Sequence, residues 1–165
     1  MKNTIITLIF SIFLTGCGGD DYYNLGIYQA KQGNHKKAIE FFSKAIEKNP
    51  NDFDAFYNRA VSRQTIGGME NKAISDYTKA IELKPNDFDA FMNRGVANMR
   101  IGNYEKALSD FKKSIQINPN YSLTYANLGN VYKILSNNEM ACENWKKSLD
   151  LGNENVQLRI KLNCE

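Results

Sequence analysis

The sequence Pro-Asn-Asp-Phe-Asp-Ala-Phe occupies residues 50–56 and returns without change at residues 85–91. A degraded copy, Pro-Asn-Tyr-Ser-Leu-Thr-Tyr, follows at residues 119–125. A fixed period of about 20 to 50 residues is the mark of a protein built from stacked structural repeats. Because Pro ends one helix and Asp or Asn caps the next, each copy predicts a joint between two helices.

Two residue patterns align around these joints. The helix after each joint has an aromatic residue, then Leu or Arg, then Gly or Ala: Tyr22, Leu25, Gly26; Phe56, Arg59, Ala60; Phe91, Arg94, Gly95; Tyr125, Leu128, Gly129. The following helix has Ala, an aromatic residue and a second small residue: Ala38, Phe42, Ala45; Ala73, Tyr77, Ala80; Ala107, Phe111, Ser114; Ala141, Trp145, Ser148. Small residues let two helices approach closely while the aromatic ring fills the space beside them.

These motifs resemble those of the tetratricopeptide repeat (TPR) family over about residues 20–153. The resemblance implies an all-α, right-handed solenoid of four helix-turn-helix units at residues 22–153, and a role in protein binding that names no partner. Residues 154–165 fit either a strand or a helical stripe of Val156, Ile160 and Cys164. Because the last repeat of a solenoid needs a cap, we predict a C-terminal capping helix.

The N-terminal segment has the features of an export signal. Lys2 precedes an apolar run from Ile5 to Leu14, which is shorter than the about 20 residues of a membrane span. The run ends in Leu-Thr-Gly-Cys at residues 14–17, which resembles the lipobox of bacterial lipoproteins. We therefore expect residues 1–16 to be a cleaved signal peptide, Cys17 to carry lipid and residues 17–21 to form a tether. The alternative is an ordinary secretory signal with an incidental Cys.

This resemblance implies a protein anchored by lipid in the bacterial cell envelope. Gly18 after the Cys fits sorting to the outer membrane, at its periplasmic face or at the cell surface. The 21 basic and 18 acidic residues give a net charge of +3. Such a balance argues against nucleic-acid binding, which requires a concentrated basic face.

The sequence carries no recognisable catalytic or cofactor motif. His35 is the single histidine, whereas a metal site needs several ligands. Gly67 and Gly68 lack the Lys-Ser/Thr of a phosphate-binding loop, and Gly-x-Ser-x-Gly does not occur. We therefore expect neither an enzyme nor a bound cofactor or metal.

At two aligned positions of the repeats, which we call columns, charged residues occur together in the same repeats. Repeats two and three have Arg59 and Arg94 where the other repeats have Leu, and these two repeats alone carry Asp76 and Asp110 before the second-helix aromatic. We predict the structural ion pairs Arg59–Asp76 and Arg94–Asp110, each joining the two helices of its repeat.

Cys142 stands in the column that Ile39, Ile74 and Leu108 fill in the other repeats, and the resemblance implies that this column faces the next element. For the last repeat that element is the capping helix with Cys164. An exported location permits oxidation, so we predict a disulfide between Cys142 and Cys164. The alternative is two small apolar thiols.

A column of Asn residues lies where the resemblance places the concave groove: Asn24, Asn58, Asn93 and Asn127. A side-chain amide offers two donors and an acceptor, so a row of them can pair with the backbone of an extended peptide. We predict that the groove binds such a segment, with Tyr57 and Met92 as central anchors. The alternative is that the Asn side chains only adjust helix packing.

Two functions follow from this sequence. The first is a membrane-anchored adaptor that binds a protein partner in the groove. The second is a structural subunit of an envelope assembly whose repeats stack without a groove ligand. A capped solenoid is expected to be monomeric, and the predicted cap favours the first function.

Overall fold

The computed structural model describes residues 19–164, and this part of the chain is helical, without strands. Four helix pairs follow one another: α1 Gly19–Lys31 and α2 His35–Lys48, α3 Phe53–Ile66 and α4 Glu70–Leu83, α5 Phe88–Arg100 and α6 Tyr104–Ile117, α7 Ser122–Ile134 and α8 Asn138–Asp150. A 3-10 turn, Glu154–Val156, and a short helix, α9 Gln157–Asn163, complete the described part of the chain.

Each of the helices α1 to α8 packs against its neighbours in sequence, and the first helix of each pair also contacts the first helix of the next. This arrangement is a helical solenoid of TPR-type units followed by a C-terminal helix. The all-α solenoid predicted from the repeats is therefore confirmed.

The repeated heptapeptide forms the joints between repeats. Asp52 caps α3 by accepting a hydrogen bond from the Ala55 amide at 3.0 Å, and Asp87 caps α5 by accepting one from Ala90 at 2.8 Å. The degraded third copy has Tyr121 at this position, and α7 begins without a side-chain cap. The two unchanged copies thus retain an Asp because its carboxylate satisfies an amide of the first turn.

The second-helix columns form the largest part of the core that recurs in every repeat. The aromatic rings of Phe42, Tyr77 and Phe111 are 0% exposed and that of Trp145 is 2% exposed. The small residues around them are fully buried as well: Ala38, Ala45, Ala73, Ala80, Ala107, Ser114, Ala141 and Ser148. Opposite Phe111, a Cβ atom on Gly95 would lie 2.7 Å from the ring, so the two helices approach too closely for a side chain there.

Both ends of the solenoid differ from the predicted boundaries. Helix α1 begins at Gly19, so residues 19–21 of the predicted tether are helical, with Asp20 and Asp21 in a first turn that favours negative charge. The capping helix begins at Gln157 because residues 154–156 form the 3-10 turn. The signal peptide and Cys17 lie outside the described residues. Among residues 19–164, no helix is long and apolar enough to span a membrane.

Candidate functional site

The first helices α1, α3, α5 and α7 form a common surface that we call the groove. Between α3 and α5 it contains a depression of about 190 Å³. The lining residues are Val61, Gln64, Thr65, Asn93, Val96 and Arg100. A member of the predicted Asn column therefore borders the depression, together with apolar residues of both helices.

The Asn column connects successive first helices. The Asn93 amide nitrogen donates to the Tyr57 hydroxyl at 2.9 Å. That of Asn58 donates to the Tyr23 hydroxyl at 3.3 Å and to the Asp54 carbonyl at 2.8 Å. The Asn127 nitrogen lies 3.9 Å from the sulfur of Met92.

These contacts correct the predicted ladder, because the amide donors bind the solenoid itself. Asn24, on the first helix, is exposed and makes no side-chain hydrogen bond within residues 19–164. The amide oxygens of Asn58 and Asn93 likewise accept no hydrogen bond from the described residues. Asn58 and Asn93 thus link successive repeats through their amide nitrogens and retain their amide oxygens as acceptors.

Tyr57, one of the two predicted anchors, is half buried. Its ring stacks on Phe53 and meets Tyr77 edge-on, with 5.8 Å between ring centroids in each pair. Burial, followed by the carboxylates of Asp89 and Asp87, raises the pKa of Tyr57 to about 12. The hydroxyl therefore remains protonated at neutral pH and accepts the hydrogen bond from Asn93.

Met92, the other predicted anchor, lies in the core. It is 7% exposed and belongs to a buried cluster with Phe111, Leu128 and Val131. Met92 is therefore not an exposed groove anchor, because Leu128 of the next repeat covers its side chain. Repeats two and three have Arg at the position of Leu128.

The groove has charged edges. Asp54 and Asp89 lie in the first turns of α3 and α5, where their negative charges interact favourably with the positive end of the helix dipole. Burial, followed by the neighbouring Asp87, raises the pKa of Asp89. Lys84 approaches Asp54 at 3.8 Å and lies 3.9 Å above the ring centre of Phe53.

The opposite edge is basic and was not predicted from the sequence. Lys31, Arg100 and Lys133 lie in the last turns of α1, α5 and α7. Arg100 donates to the Gln64 carbonyl at 3.1 Å. The only sequence signal was a basic residue near the end of each of these helices, which occurs in many helices for dipole reasons.

The structure brings Arg59 and Asp76 together. Arg59 binds Asp76 with two nitrogens, at 2.9 and 2.8 Å, and reaches Ser43 of the preceding repeat at 3.0 Å. Asp76 is 3% exposed and also accepts a hydrogen bond from Arg63 at 2.5 Å, a partner that the sequence did not reveal. The pair therefore belongs to a network that joins three helices.

Arg94 repeats this geometry one unit further along. Its nitrogens lie 3.0 and 2.7 Å from the Asp110 oxygens and 3.1 Å from the Thr78 hydroxyl. Asn98 takes the place of Arg63 by donating to Asp110 at 3.1 Å. The two networks link repeats one to three. None of their charged side chains lines the groove depression.

The structure joins Cys142 and Cys164 in a disulfide, with Cα atoms 5.6 Å apart. The bond links α8 to the residue that follows α9. It therefore attaches the capping helix covalently to the last repeat.

No metal site is formed by the described residues. None of their His, Cys, Asp and Glu side chains form a group of three or more that could hold an ion. His35 is the first residue of α2, and its buried Nδ1 has no hydrogen-bond partner within the described part of the chain.

Comparison with known proteins identifies the repeats. Models of the tetratricopeptide repeat match residues 20–52 and 88–121, residues 68–102, and residues 41–74 and 111–143. An uncharacterised protein of Methanocaldococcus jannaschii is 41% identical over 49 residues, which are 30% of this chain and 57% of that relative. The chain thus spans little more than half the length of this curated relative.

Solved structures show the same fold. YrrB, a TPR protein with an unusual peptide-binding site, has a TM-score of 0.81 at 24% identity, over 91% of this chain and 77% of YrrB. The first TPR domain of RPAP3 bound to the HSP90 peptide SRMEEVD has a TM-score of 0.69 at 23% identity, over 72% of this chain and 93% of that domain.

Proposed function

Because the chain belongs to the tetratricopeptide repeat family, we propose that it is a membrane-anchored adaptor whose groove binds an extended segment of a partner protein. The observation that carries the proposal is the depression between α3 and α5, which Val61 and Val96 line together with Asn93, whose amide oxygen accepts no hydrogen bond from the described residues. An extended segment exposes backbone N–H groups that need acceptors, and its side chains need apolar contacts. Such binding requires no catalysis.

The acidic edge of the groove favours basic residues in the part of the segment that lies along Asp54 and Asp89, whereas Arg100 lines the depression itself. Asp89 lies close enough to Tyr57, and Asp54 close enough to Tyr23, for each carboxylate to raise the pKa of its neighbouring hydroxyl. The RPAP3 domain binds an acidic peptide, SRMEEVD. In this chain the two Asp carboxylates would repel such a peptide, because like charges within a few ångströms of each other disfavour binding. Exposed Leu123 and Ile134 of α7 offer further apolar contacts.

A crosslinking experiment in cells tests the groove directly. A photoreactive residue would replace Thr65, which is exposed and lines the depression, in the full-length protein. The matched control would replace Ser75, which is a small, exposed polar residue on the second helix α4. We expect adducts of discrete mass with Thr65 and none of the same mass with Ser75. Equal adducts at both positions, or none at Thr65, would contradict groove binding.

A charge variant then tests the chemistry of the ligand. We expect Asp54→Asn with Asp89→Asn to lower the yield of the Thr65 adduct at low salt, since they remove the attraction for basic residues. The control Asp150→Asn alters an exposed acid at the end of α8 and should leave the yield unchanged. An unchanged yield in the double variant would exclude a basic ligand.

We also propose that Cys17 carries the lipid that holds the protein in the cell envelope, at the outer membrane. Helix α1 begins two residues later, at Gly19, so the first repeat would lie close to the membrane surface. Each buried methylene contributes about 0.8 kcal/mol, and two or three acyl chains give firm attachment. Metabolic labelling with a fatty acid should mark the wild type and not Cys17→Ser. Label retained by that variant would disprove lipidation at this residue.

A further inference from the structure

The two ends of the solenoid expose large apolar side chains. On α1, Leu25 is 40% exposed and Tyr28 is 59% exposed. On α9, Leu158 is 66% exposed and Leu162 is 71% exposed. Each pair lies on one face of its helix, because residues three or four apart are neighbours on a helix surface.

The pair on α1 occupies positions that are buried elsewhere in the solenoid. Leu25 and Tyr28 follow the leading aromatic Tyr22 by the same spacing as Leu128 and Val131 follow Tyr125 on α7. Leu128 is 5% exposed and Val131 is 0% exposed, because the preceding repeat covers them. The first helix therefore presents the face with which a first helix normally packs against a preceding repeat.

Helix α9 is placed like the first helix of a further repeat. Val156 is fully buried, and Ile160 packs against the cluster of Ala141 and Trp145. Leu128 of α7 belongs in the same way to the cluster of Ala107 and Phe111.

This placement fixes which internal residues correspond to the exposed pair on α9. Leu158 and Leu162 follow Val156 by two and six residues, as Met92 and Val96 follow the fully buried Ala90 on α5. The exposed pair of α9 therefore matches Met92 and Val96.

Inside the molecule, these two sets of positions pack together. Met92, Leu128 and Val131 form one buried cluster, and Val96 packs against it. The joint between α5 and α7 therefore brings together the positions that are exposed separately at the two ends.

We propose that the α9 end of one molecule binds the α1 end of a second copy of this chain. Leu158 and Leu162 pack against Leu25 and Tyr28 of the second copy, in the register that α5 and α7 use. The charges of the two ends are opposite, since exposed Lys161 lies beside Leu162 on α9, and exposed Asp20 and Asp21 precede the pair on α1. Arg159 is also exposed and lies beside Asn130 and Lys133 of α7. The groove is not part of the contact, so the inference does not depend on a groove ligand.

The contact joins the α9 end of one copy to the α1 end of another. Each copy that is added therefore leaves one α9 end and one α1 end exposed. A head-to-tail contact of this kind forms open chains unless its rotation closes a ring. The predicted monomer would then be the low-concentration state of a chain-forming protein.

Disulfide trapping in the full-length protein tests this geometry. Tyr28→Cys and Leu162→Cys would be made singly, each with a different epitope tag, and as a double variant. After mild oxidation in cells, we expect the double variant to give a ladder of crosslinked species on a non-reducing gel. Cells that express both single variants should give one dimer with both tags, whereas each single variant alone should give no crosslink. The control pair, Ser75→Cys with Lys112→Cys, lies on exposed parts of second helices and should give no ladder.

Dimers from either single variant alone would indicate contact between like ends and overturn the proposal. Absence of a ladder in a double variant whose helical circular dichroism matches the wild type would also overturn it. The charges give a second readout. Arg159→Glu with Lys161→Glu, added to the double variant, should abolish the ladder, and Asp20→Lys with Asp21→Lys should restore it. The Thr65 crosslink reports the groove separately, so failure of one proposal leaves the other measurable.

Discussion

Ser136 has a left-handed backbone conformation, with φ of 60°. The corresponding turns of repeats one and three use Gly33 and Gly102, at φ of 76° and 80°. A side chain in this region costs about 1 to 2 kcal/mol, and part of the gain from Gly is lost to its greater freedom in the unfolded chain. We expect Ser136→Gly to raise the free energy of unfolding in urea by about 0.5 to 1 kcal/mol. Gly102→Ala is the control and should lower it; a neutral Ser136→Gly would mean that the turn is unstrained.

Tyr57 gives the protein a predictable response to alkali. Its pKa rises from 10.0 to about 12 in the folded state, mainly through burial. Stability that depends on this group is therefore present below pH 10 and is lost as the pH rises towards 12, because the unfolded chain releases the proton first. We expect the urea midpoint of the wild type to fall between about pH 10 and pH 12, and that of Tyr57→Phe to fall less steeply. Parallel losses in the two proteins would contradict the assignment.

At the scale of the helices, the Asp76 network adds a polar link between α2, α3 and α4, where α3 also packs directly against α2 and α4. Asp76 and Arg59 are 4% and 15% exposed in their side chains, so removing one partner leaves a poorly solvated charge. We expect Asp76→Ala to lower the free energy of unfolding by about 3 to 5 kcal/mol, and Arg59→Leu to have little further effect in the double variant. The exposed pair Lys79–Glu82 is the control and should contribute at most about 1 kcal/mol. Additive losses in the Asp76 and Arg59 cycle would exclude the pair.

The approach of α5 to α6 depends on the absence of a side chain at Gly95. A Cβ atom there would lie 2.7 Å from Phe111, which is fully buried and cannot retreat into solvent. We expect Gly95→Ala to destabilise the fold by about 1 to 3 kcal/mol in urea unfolding, as overpacked cores do. Repeat two has Ala60 opposite Tyr77, so Ala60→Gly provides the reciprocal control. A Gly95→Ala variant as stable as the wild type would show that the ring can shift at no cost.

The sequence predicted the elements better than the groove. The Ala and aromatic columns identified every second helix, because their burial is decided within one repeat. The role of Met92 depends instead on what the next repeat places opposite, which is Leu128 rather than Arg. Likewise, the donors of Asn58 and Asn93 are occupied because Tyr23 and Tyr57 stand one repeat earlier at hydrogen-bond distance. The position of a residue within the repeat predicts on which face of its helix the residue lies. Its contacts depend on which residues of the neighbouring repeat lie opposite that face.

For the molecule as a whole, the disulfide decides whether α9 stays attached. Helix α9 has seven residues, none of them buried, so its position depends on Val156, on the partly buried Ile160 and on the bond between Cys142 and Cys164. Closing a loop with a sequence separation of 22 contributes about 3 kcal/mol in the chain-entropy model. We expect Cys142→Ser with Cys164→Ser to lose about this much stability in urea. Thiol counting on denatured, unreduced wild type should find neither cysteine reactive; two reactive thiols besides Cys17 would contradict the bridge.

Because the disulfide bridges one end of the solenoid, the two ends differ in how readily they open. Each repeat is held mainly by its immediate neighbours, so opening proceeds from the ends inward. One end is bridged by the disulfide, while α1 is held by non-covalent contacts alone among the described residues. Amide hydrogens should therefore exchange fastest in α1 and α2 and slowest towards α8. A tension applied through the N-terminus would peel the repeats away one after another in the same order.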